Sequence, residues 1–167
     1  VVVIVDYNKG SINNAIVKKV IDSNPHQIWI NTKSPLTNFK CMDMDRPGGP
    51  GDAAEIRWVC NQKEYLKDKD FYFNQEKVYV TSGQNGIAYC YSPRDLFATR
   101  HVNGFKALSN TPISVCGAGD VVLAALVTCP TGYNELLWAM CAAAEAVETP
   151  FTGSIHRSRV EERYYTE

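Results

Sequence analysis

Most features that would place this chain outside the ordinary globular class are scarce or missing. It has only 3 histidines, and its 6 cysteines, at positions 41, 60, 90, 116, 129 and 141, form no Cys-x-x-Cys pair. A zinc centre is therefore not expected. No apolar run is long enough to span a membrane. The opening Val1-Val2-Val3-Ile4-Val5 is too short for a signal peptide and runs straight into Asp6. Neither charge sign is in excess: 17 Lys and Arg face 18 Asp and Glu, for a net charge of −1 and a pI near 6.3. That balance gives no support for nucleic-acid or polyanion binding, and neither a nucleic-acid nor a membrane partner is expected. There is no internal repeat and no low-complexity tract. An initiator Met is also missing, and the chain opens inside what reads as a strand. The expectation is a piece of a longer protein, or a chain lacking its start.

What remains is 167 residues, enough for one domain with a real core over 1–167. Scattered thiols fit a reducing compartment, so a cytoplasmic protein is expected. Cys129 and Cys141 lie in apolar helical surroundings and read as small core residues.

Residues 1–7 are β-branched and apolar before Asp6-Tyr7, which predicts a buried, parallel strand. Ile12, Ile16 and Val20 recur every four residues, so 12–22 is predicted as an amphipathic helix starting at Gly10-Ser11. Asn24-Pro25 ends it, and 27–31 reads as a second strand, giving a right-handed βαβ unit. Residues 32–55 have no period. Pro47, Gly48, Gly49, Pro50 and Gly51 mark a loop or flap at about 42–55. Strands are predicted at 57–60, 77–81 and 87–91, a short helix at 61–68, and one or two meander strands within 96–108. Two helices follow, at about 119–128 and 134–148, the second rich in Ala and capped by Asn134 or Thr131. The predicted class is α/β: a mostly parallel sheet flanked by helices, with an antiparallel meander at one side.

The chemistry concentrates at Val115-Cys116-Gly117-Ala118-Gly119-Asp120, which leads directly into an apolar helical run. Two glycines at a helix N-terminus let free backbone N–H groups approach an anion, and the helix dipole favours negative charge there. Asp120 beside such a pocket can take a proton from an attacking hydroxyl. Phosphoryl transfer needs these parts: donors aimed at developing charge and a base that orients the nucleophile. The other reading of the string is a tight turn with Asp120 as a helix cap. Cys116 reads as filler rather than nucleophile, because no His stands near it in sequence.

Five motifs then fall in register with one family. They are Asp6-Tyr7-Asn8-Lys9-Gly10, Asn31-Thr32-Lys33, Asn61-Gln62-Lys63-Glu64, Val80-Thr81-Ser82-Gly83-Gln84-Asn85-Gly86, and Gly117-Ala118-Gly119-Asp120 with the later Thr152-Gly153-Ser154. In this order the chain resembles the C-terminal half of the ribokinase-like (PfkB) carbohydrate kinases, most closely the heptose-phosphate kinase branch. The resemblance implies a shortened three-layer ribokinase-like fold and ATP-dependent phosphorylation of a hydroxyl on a sugar or sugar phosphate. It implies Asp120 as base, with Gly117, Ala118 and Gly119 as anion hole. Asn61 and Glu64 would hold Mg²⁺ through water near the phosphates. Thr81, Gly83 and Gly86 would line the nucleotide side. Asn61 and Glu64 also read as a helix-capping pair, and the Thr81–Gly86 string as an ordinary turn. Asp6, Lys9 and Lys33 are candidates for substrate contact, since open α/β sheets place ligands at the carboxyl ends of their strands; the two lysines equally read as solvated loop residues.

The sequence departs from that family in three places. Ser114 stands where the family carries an Asp, and Val121 where a Thr is common. The family's N-terminal half, with its lid and most sugar contacts, has no counterpart. Arg46-Pro47-Gly48-Gly49-Pro50-Gly51-Asp52-Ala53 resembles the family's N-terminal sugar-binding glycine motif, but lies at a different point of the chain. It is either a coincidence of a Gly/Pro loop or a transplanted substrate loop. Half a sheet leaves exposed edges, so a homo-oligomer is expected. The competing functional class is a non-catalytic, kinase-derived remnant that binds nucleotide or serves in assembly.

Overall fold

A computed structural model describes residues 1–42, 54–91, 101–109, 111–150 and 154–167. The Arg46–Asp52 string and the Thr152-Gly153 pair lie outside these residues. Six strands form one sheet in the spatial order of the sequence: β1 (Val2–Asp6), β2 (Gln27–Thr32), β3 (Glu55–Asn61), β4 (Lys77–Thr81), β5 (Ile87–Tyr91) and β6 (His101–Phe105). The first four are parallel, and β4–β5–β6 is the antiparallel meander.

Alternation along the strands makes two buried faces, because successive side chains leave a sheet on opposite sides. Ile28, Ile30, Trp58, Cys60, Val78 and Val80 point to one core, which is closed by α1 (Asn14–Asp22), a 3-10 turn over Leu36–Met42, α2 (Gln62–Lys67) and α3 (Lys69–Phe73). Trp29, Val59, Tyr79 and Ile87 point to the other, under α4 (Ala118–Thr128), α5 (Glu135–Glu148) and α6 (Arg157–Thr166). The chain thus has the three-layer α/β/α form of the ribokinase-like fold, in partial extent.

Several local expectations need revision. Helix α1 starts at Asn14 rather than Gly10-Ser11, because the Asn13 side chain accepts the amides of Ala15 and Ile16 and is the better cap. The 32–55 stretch is not all loop. Leu36–Met42 winds into a 3-10 turn that buries Phe39 edge-on to Trp58, with ring centres 5.7 Å apart. Helix α6 has no apolar stripe to announce it. Val160 is its buried anchor, and Arg163 ties it to α5 through Glu145 at 3.0 Å and Glu148 at 2.5 Å. Among the described residues no helix is long and apolar enough to cross a membrane.

Candidate active site

The parallel strands end together, and their last residues form one row. Asp6 pairs with Thr32, and Asn61 with Thr81. The row lies at the carboxyl ends of the strands, the edge where open α/β sheets place ligands. Beside it, α4 begins. Gly117 takes a left-handed conformation (φ 78°) as the residue before the helix, and the Val121 amide closes the first turn onto the Gly117 carbonyl at 3.0 Å. A side chain at Gly117 would strain that turn. The Ala118 amide makes a long bond to Val115 O at 3.4 Å. The amides of Gly119 and Asp120 follow in the first turn, where an α-helix has no internal acceptor for them.

A cavity of about 570 Å³ opens against this helix start. It is lined by Asn61, Thr81, Gly83, Gly86, Ala118 and Gly119, and by Met140, Ala144 and Val147 of α5. The loop before α4 is strapped to α5 by the amides of Ile113 and Ser114, both donating to Val147 O. Gly83 and Gly86 have positive φ and shape the turn after β4. The cavity suits a flat, largely apolar group, with a few polar atoms to orient it. Ser109 also lines it, with its Oγ buried and without a hydrogen-bond partner. Nothing in the local sequence marks Ser109, Met140, Ala144 or Val147 as cavity residues.

Asp120 does not face that cavity. Its carboxylate lines a second groove of about 440 Å³ with Val3, Val5 and Tyr7 of the β1 region and Leu123 of α4. Tyr7 Oη donates to Asp120 Oδ1 at 2.7 Å. The helix start therefore separates two hollows, with Ala118 and Gly119 lining one and Asp120 the other.

Asn61 and Glu64 form a complete capping box. Asn61 Oδ1 accepts the Glu64 amide at 3.0 Å, and Glu64 Oε2 accepts the Asn61 amide at 2.9 Å. Glu64 Oε1 is ion-paired with Lys33. No cluster of three or more His, Cys, Asp or Glu that could hold a metal ion is found among the described residues. All three acceptor oxygens of the Asn61–Glu64 pair already have protein partners, so a cation would meet them only through its own waters.

Asp6 is 3% exposed, and its carboxylate is engaged inside the protein: Oδ1 accepts the Asn8 amide at 2.9 Å and Oδ2 the Thr32 hydroxyl at 3.1 Å. Lys9 stands exposed on the turn that follows. Cys116 is exposed at the helix start. Thus Asn61, Thr81, Gly83, Gly86, Ala118 and Gly119 meet at one cavity, Asp120 turns to the neighbouring groove, and Lys33 reaches Glu64 from across the strand row.

No family model and no curated protein matches the sequence. Solved structures do match the fold. A ribokinase from Arabidopsis thaliana, complexed with ribose and ATP, superposes with a TM-score of 0.62 at 16% identity over 92% of this chain and 52% of its own. A ribokinase from Thermotoga maritima gives 0.61 at 15% identity over 94% of this chain and 62% of its own. An Escherichia coli protein assigned as a ribokinase II, in complex with ATP and Mg²⁺, gives 0.53 at 18% identity over 66% of this chain and 39% of its own. The chain spans about two fifths to three fifths of the length of these structures.

Proposed function

We propose that this chain carries the phosphoryl-transfer half of an ATP-dependent carbohydrate kinase. The γ-phosphoryl group passes to a hydroxyl of a sugar or sugar phosphate, with a heptose phosphate as the acceptor that the Asp6–Gly10 motif favours. The observation that carries this reading is the two-sided helix start: Ala118 and Gly119 line a 570 Å³ cavity while Asp120 lines the adjacent groove.

The cavity between the β4–β5 turn and α5 would hold ATP, which when bound would supply the γ-phosphoryl group. Thr81, Gly83 and Gly86 line the nucleotide, and the amides at Gly117, Ala118 and Gly119 receive charge on the transferring phosphoryl oxygens. The acceptor enters the groove and presents its hydroxyl to Asp120, which takes the proton as the oxygen attacks phosphorus. Asp6 holds the turn from which Lys9 and Lys33 address phosphate on the acceptor or the nucleotide. Asn61 and Glu64 hold hydrated Mg²⁺, which when bound would neutralise charge on the phosphate oxygens. A cytoplasmic, ATP-rich setting belongs to this reading.

The test is ADP release across a panel of sugars and sugar phosphates. Asp120→Asn should lower turnover by about 10²–10⁴-fold and leave nucleotide affinity near its original value. Equal turnover in both proteins removes Asp120 as base. One observation favours a second reading, a nucleotide-binding module without turnover: both Glu64 oxygens already have protein partners. Mg·ATP at about 100 times its Kd stabilises a binding fold by roughly 2.7 kcal/mol. A thermal shift of that kind with no ADP release across the panel selects the module. A homo-oligomer is also part of the proposal, because the β1 edge leaves Val1, Val3, Val5 and Tyr7 exposed. Light scattering from a stable monomer at micromolar concentration excludes it.

A further inference from the structure

We infer that Tyr7 is a positioning residue for Asp120: its hydroxyl holds one carboxylate oxygen and leaves the other to take the acceptor's proton. The inference rests on the kinase reading above and adds a residue to which that reading gives no part in the chemistry. Tyr7 and Asp120 lie 113 residues apart, at the end of β1 and in the first turn of α4, and meet in a 2.7 Å hydrogen bond. Both line the same groove.

The backbone around Tyr7 is built to present it there. Asp6, on the opposite face of the strand, anchors the Asn8 amide and the Thr32 hydroxyl, and the Lys33 amide donates to Asp6 O at 2.7 Å. Asn8 takes a left-handed conformation (φ 57°), and its Oδ1 accepts the Ser34 hydroxyl at 3.1 Å. With its two neighbours fixed, Tyr7 leaves the strand toward α4. Tyr7 is 52% exposed, so packing fixes it only in part, and its hydroxyl is tied to Asp120.

The chemistry of the pair is one-directional. A carboxylate has no proton to give, so the phenol is the donor. The hydrogen bond to Asp120, then partial burial, then the Asp120 charge all raise the Tyr7 pKa above its ordinary 10.0. The phenol therefore stays protonated across neutral pH and remains a donor throughout the working range. Asp120 Oδ1 is occupied, and Oδ2 is the oxygen available to an incoming hydroxyl. A carboxylate free to rotate would spend part of its time with neither oxygen aimed at the acceptor, and misplacing a reacting group by about 1 Å can cost as much as 10²-fold.

The experiment compares wild type, Tyr7→Phe and Asp120→Ala. Tyr7→Phe keeps the ring and removes the donor. It should lower kcat by roughly 10-fold or more, with KM for ATP and the melting temperature unchanged. In protein labelled at the tyrosine ring carbon bearing the hydroxyl, the signal absent from Tyr7→Phe identifies Tyr7, and its titration midpoint should fall in Asp120→Ala. An active wild type with unchanged kcat in Tyr7→Phe overturns the positioning role and leaves the kinase reading standing. A Tyr7 midpoint indifferent to Asp120→Ala overturns it as well. A wild type without turnover on any acceptor fails the kinase reading itself, and the positioning role falls with it.

Discussion

Gly86 is where backbone geometry and the candidate nucleotide cavity depend on each other most directly, and Gly86→Ala should damage both. The residue sits at φ 85°, ψ −137°, a region open almost only to glycine. An added Cβ would lie 2.0 Å from Phe105 O, 2.7 Å from the Ala107 amide nitrogen and 2.7 Å from the Lys106 carbonyl carbon. All three are backbone atoms, so no side chain can swing aside; the end of β6 must move. The conformational cost is about 1–3 kcal/mol, and overpacking adds about 1–3 kcal/mol. Gly83 is the internal control. It also has positive φ (56°), but its Cβ would meet nothing within 4 Å. Gly83→Ala therefore carries only the backbone cost, about 1–2 kcal/mol. Urea unfolding followed by tryptophan fluorescence should give an order of midpoints: wild type, then Gly83→Ala, then Gly86→Ala. With a slope of about 1–3 kcal/mol per molar urea, the gap between the two variants should be on the order of 1 M. Because β6 leads into Ala107–Ser109 at the cavity wall, Gly86→Ala should also lose more of the Mg·ATP thermal shift. Equal midpoints for the two variants would refute the steric argument.

The remaining predictions are independent of Gly86. Burial raises the Glu55 pKa, but hydrogen bonds and charge from Lys77 and Arg57 outweigh it and hold the carboxyl below its ordinary 4.5. A carboxyl with a depressed folded-state pKa stabilises the fold fully above its unfolded pKa, and the benefit is lost as pH falls through the folded value. The urea midpoint should therefore drop on acidification below about pH 5, and Glu55→Gln should flatten that drop; an unaltered profile in the variant contradicts the assignment. Burial pushes the Cys60 thiol up to about 12 and the Cys141 thiol up to about 11, whereas Cys116 is exposed. A thiol reagent should modify Cys116 first and reach Cys60 and Cys141 only on unfolding, and Mg·ATP should slow the first step because Val115 and Ala118 line the cavity; comparable rates at Cys60 and Cys116 would be inconsistent with the burial. Glu64→Gln can still accept the Asn61 amide but loses the Lys33 ion pair. It should change the melting temperature little and remove the Mg²⁺-dependent part of the nucleotide shift; retention of that part frees Glu64 from any cation role.

The fold was legible where one periodicity dominates. Alternation of Ile28-Trp29-Ile30 and of Val78-Tyr79-Val80 fills two cores at once, so these strands read as continuous apolar runs. The glycine turns at 83–86 and at Gly117 were legible because positive φ restricts the residue type. The rest depends on contacts that no local window contains. Helix α6 is held by Arg163 reaching Glu145 and Glu148 on α5, and a polar helix of that kind has no stripe to detect. Tyr7 stood inside a recognised motif, yet its partner lies 113 residues away. Ser109 is defined only by a hydroxyl left alone in a cavity assembled from four separate segments. Asn61 and Glu64 carried two readings in the sequence. The capping box realises the structural one, and it leaves the cation role to be decided by Glu64→Gln.

The family departures at Ser114 and Val121 can be weighed by what each residue touches. The Ser114 hydroxyl accepts the Cys116 amide at 3.4 Å, and the Ser114 amide bonds Val147 O at 3.0 Å. Ser114 thus anchors the loop before α4 without a carboxylate. The Val121 side chain packs partly against the core under α4, while its amide makes the bond to Gly117 that closes the first turn. Amide placement at Gly119 and Asp120 follows from the left-handed Gly117 and that bond, and neither needs an acid at 114 or a hydroxyl at 121. The chemistry those groups would add is extra negative charge and an extra oxygen for cations. If the departures matter, they weaken cation binding and leave anion binding intact. Ser114→Asp should then strengthen the Mg²⁺ dependence of nucleotide binding in a titration, with the Mg²⁺-free affinity unchanged or lowered by the added charge. A Ser114→Asp protein that binds nucleotide more tightly without Mg²⁺ would show that the two functions are not separable at this helix start.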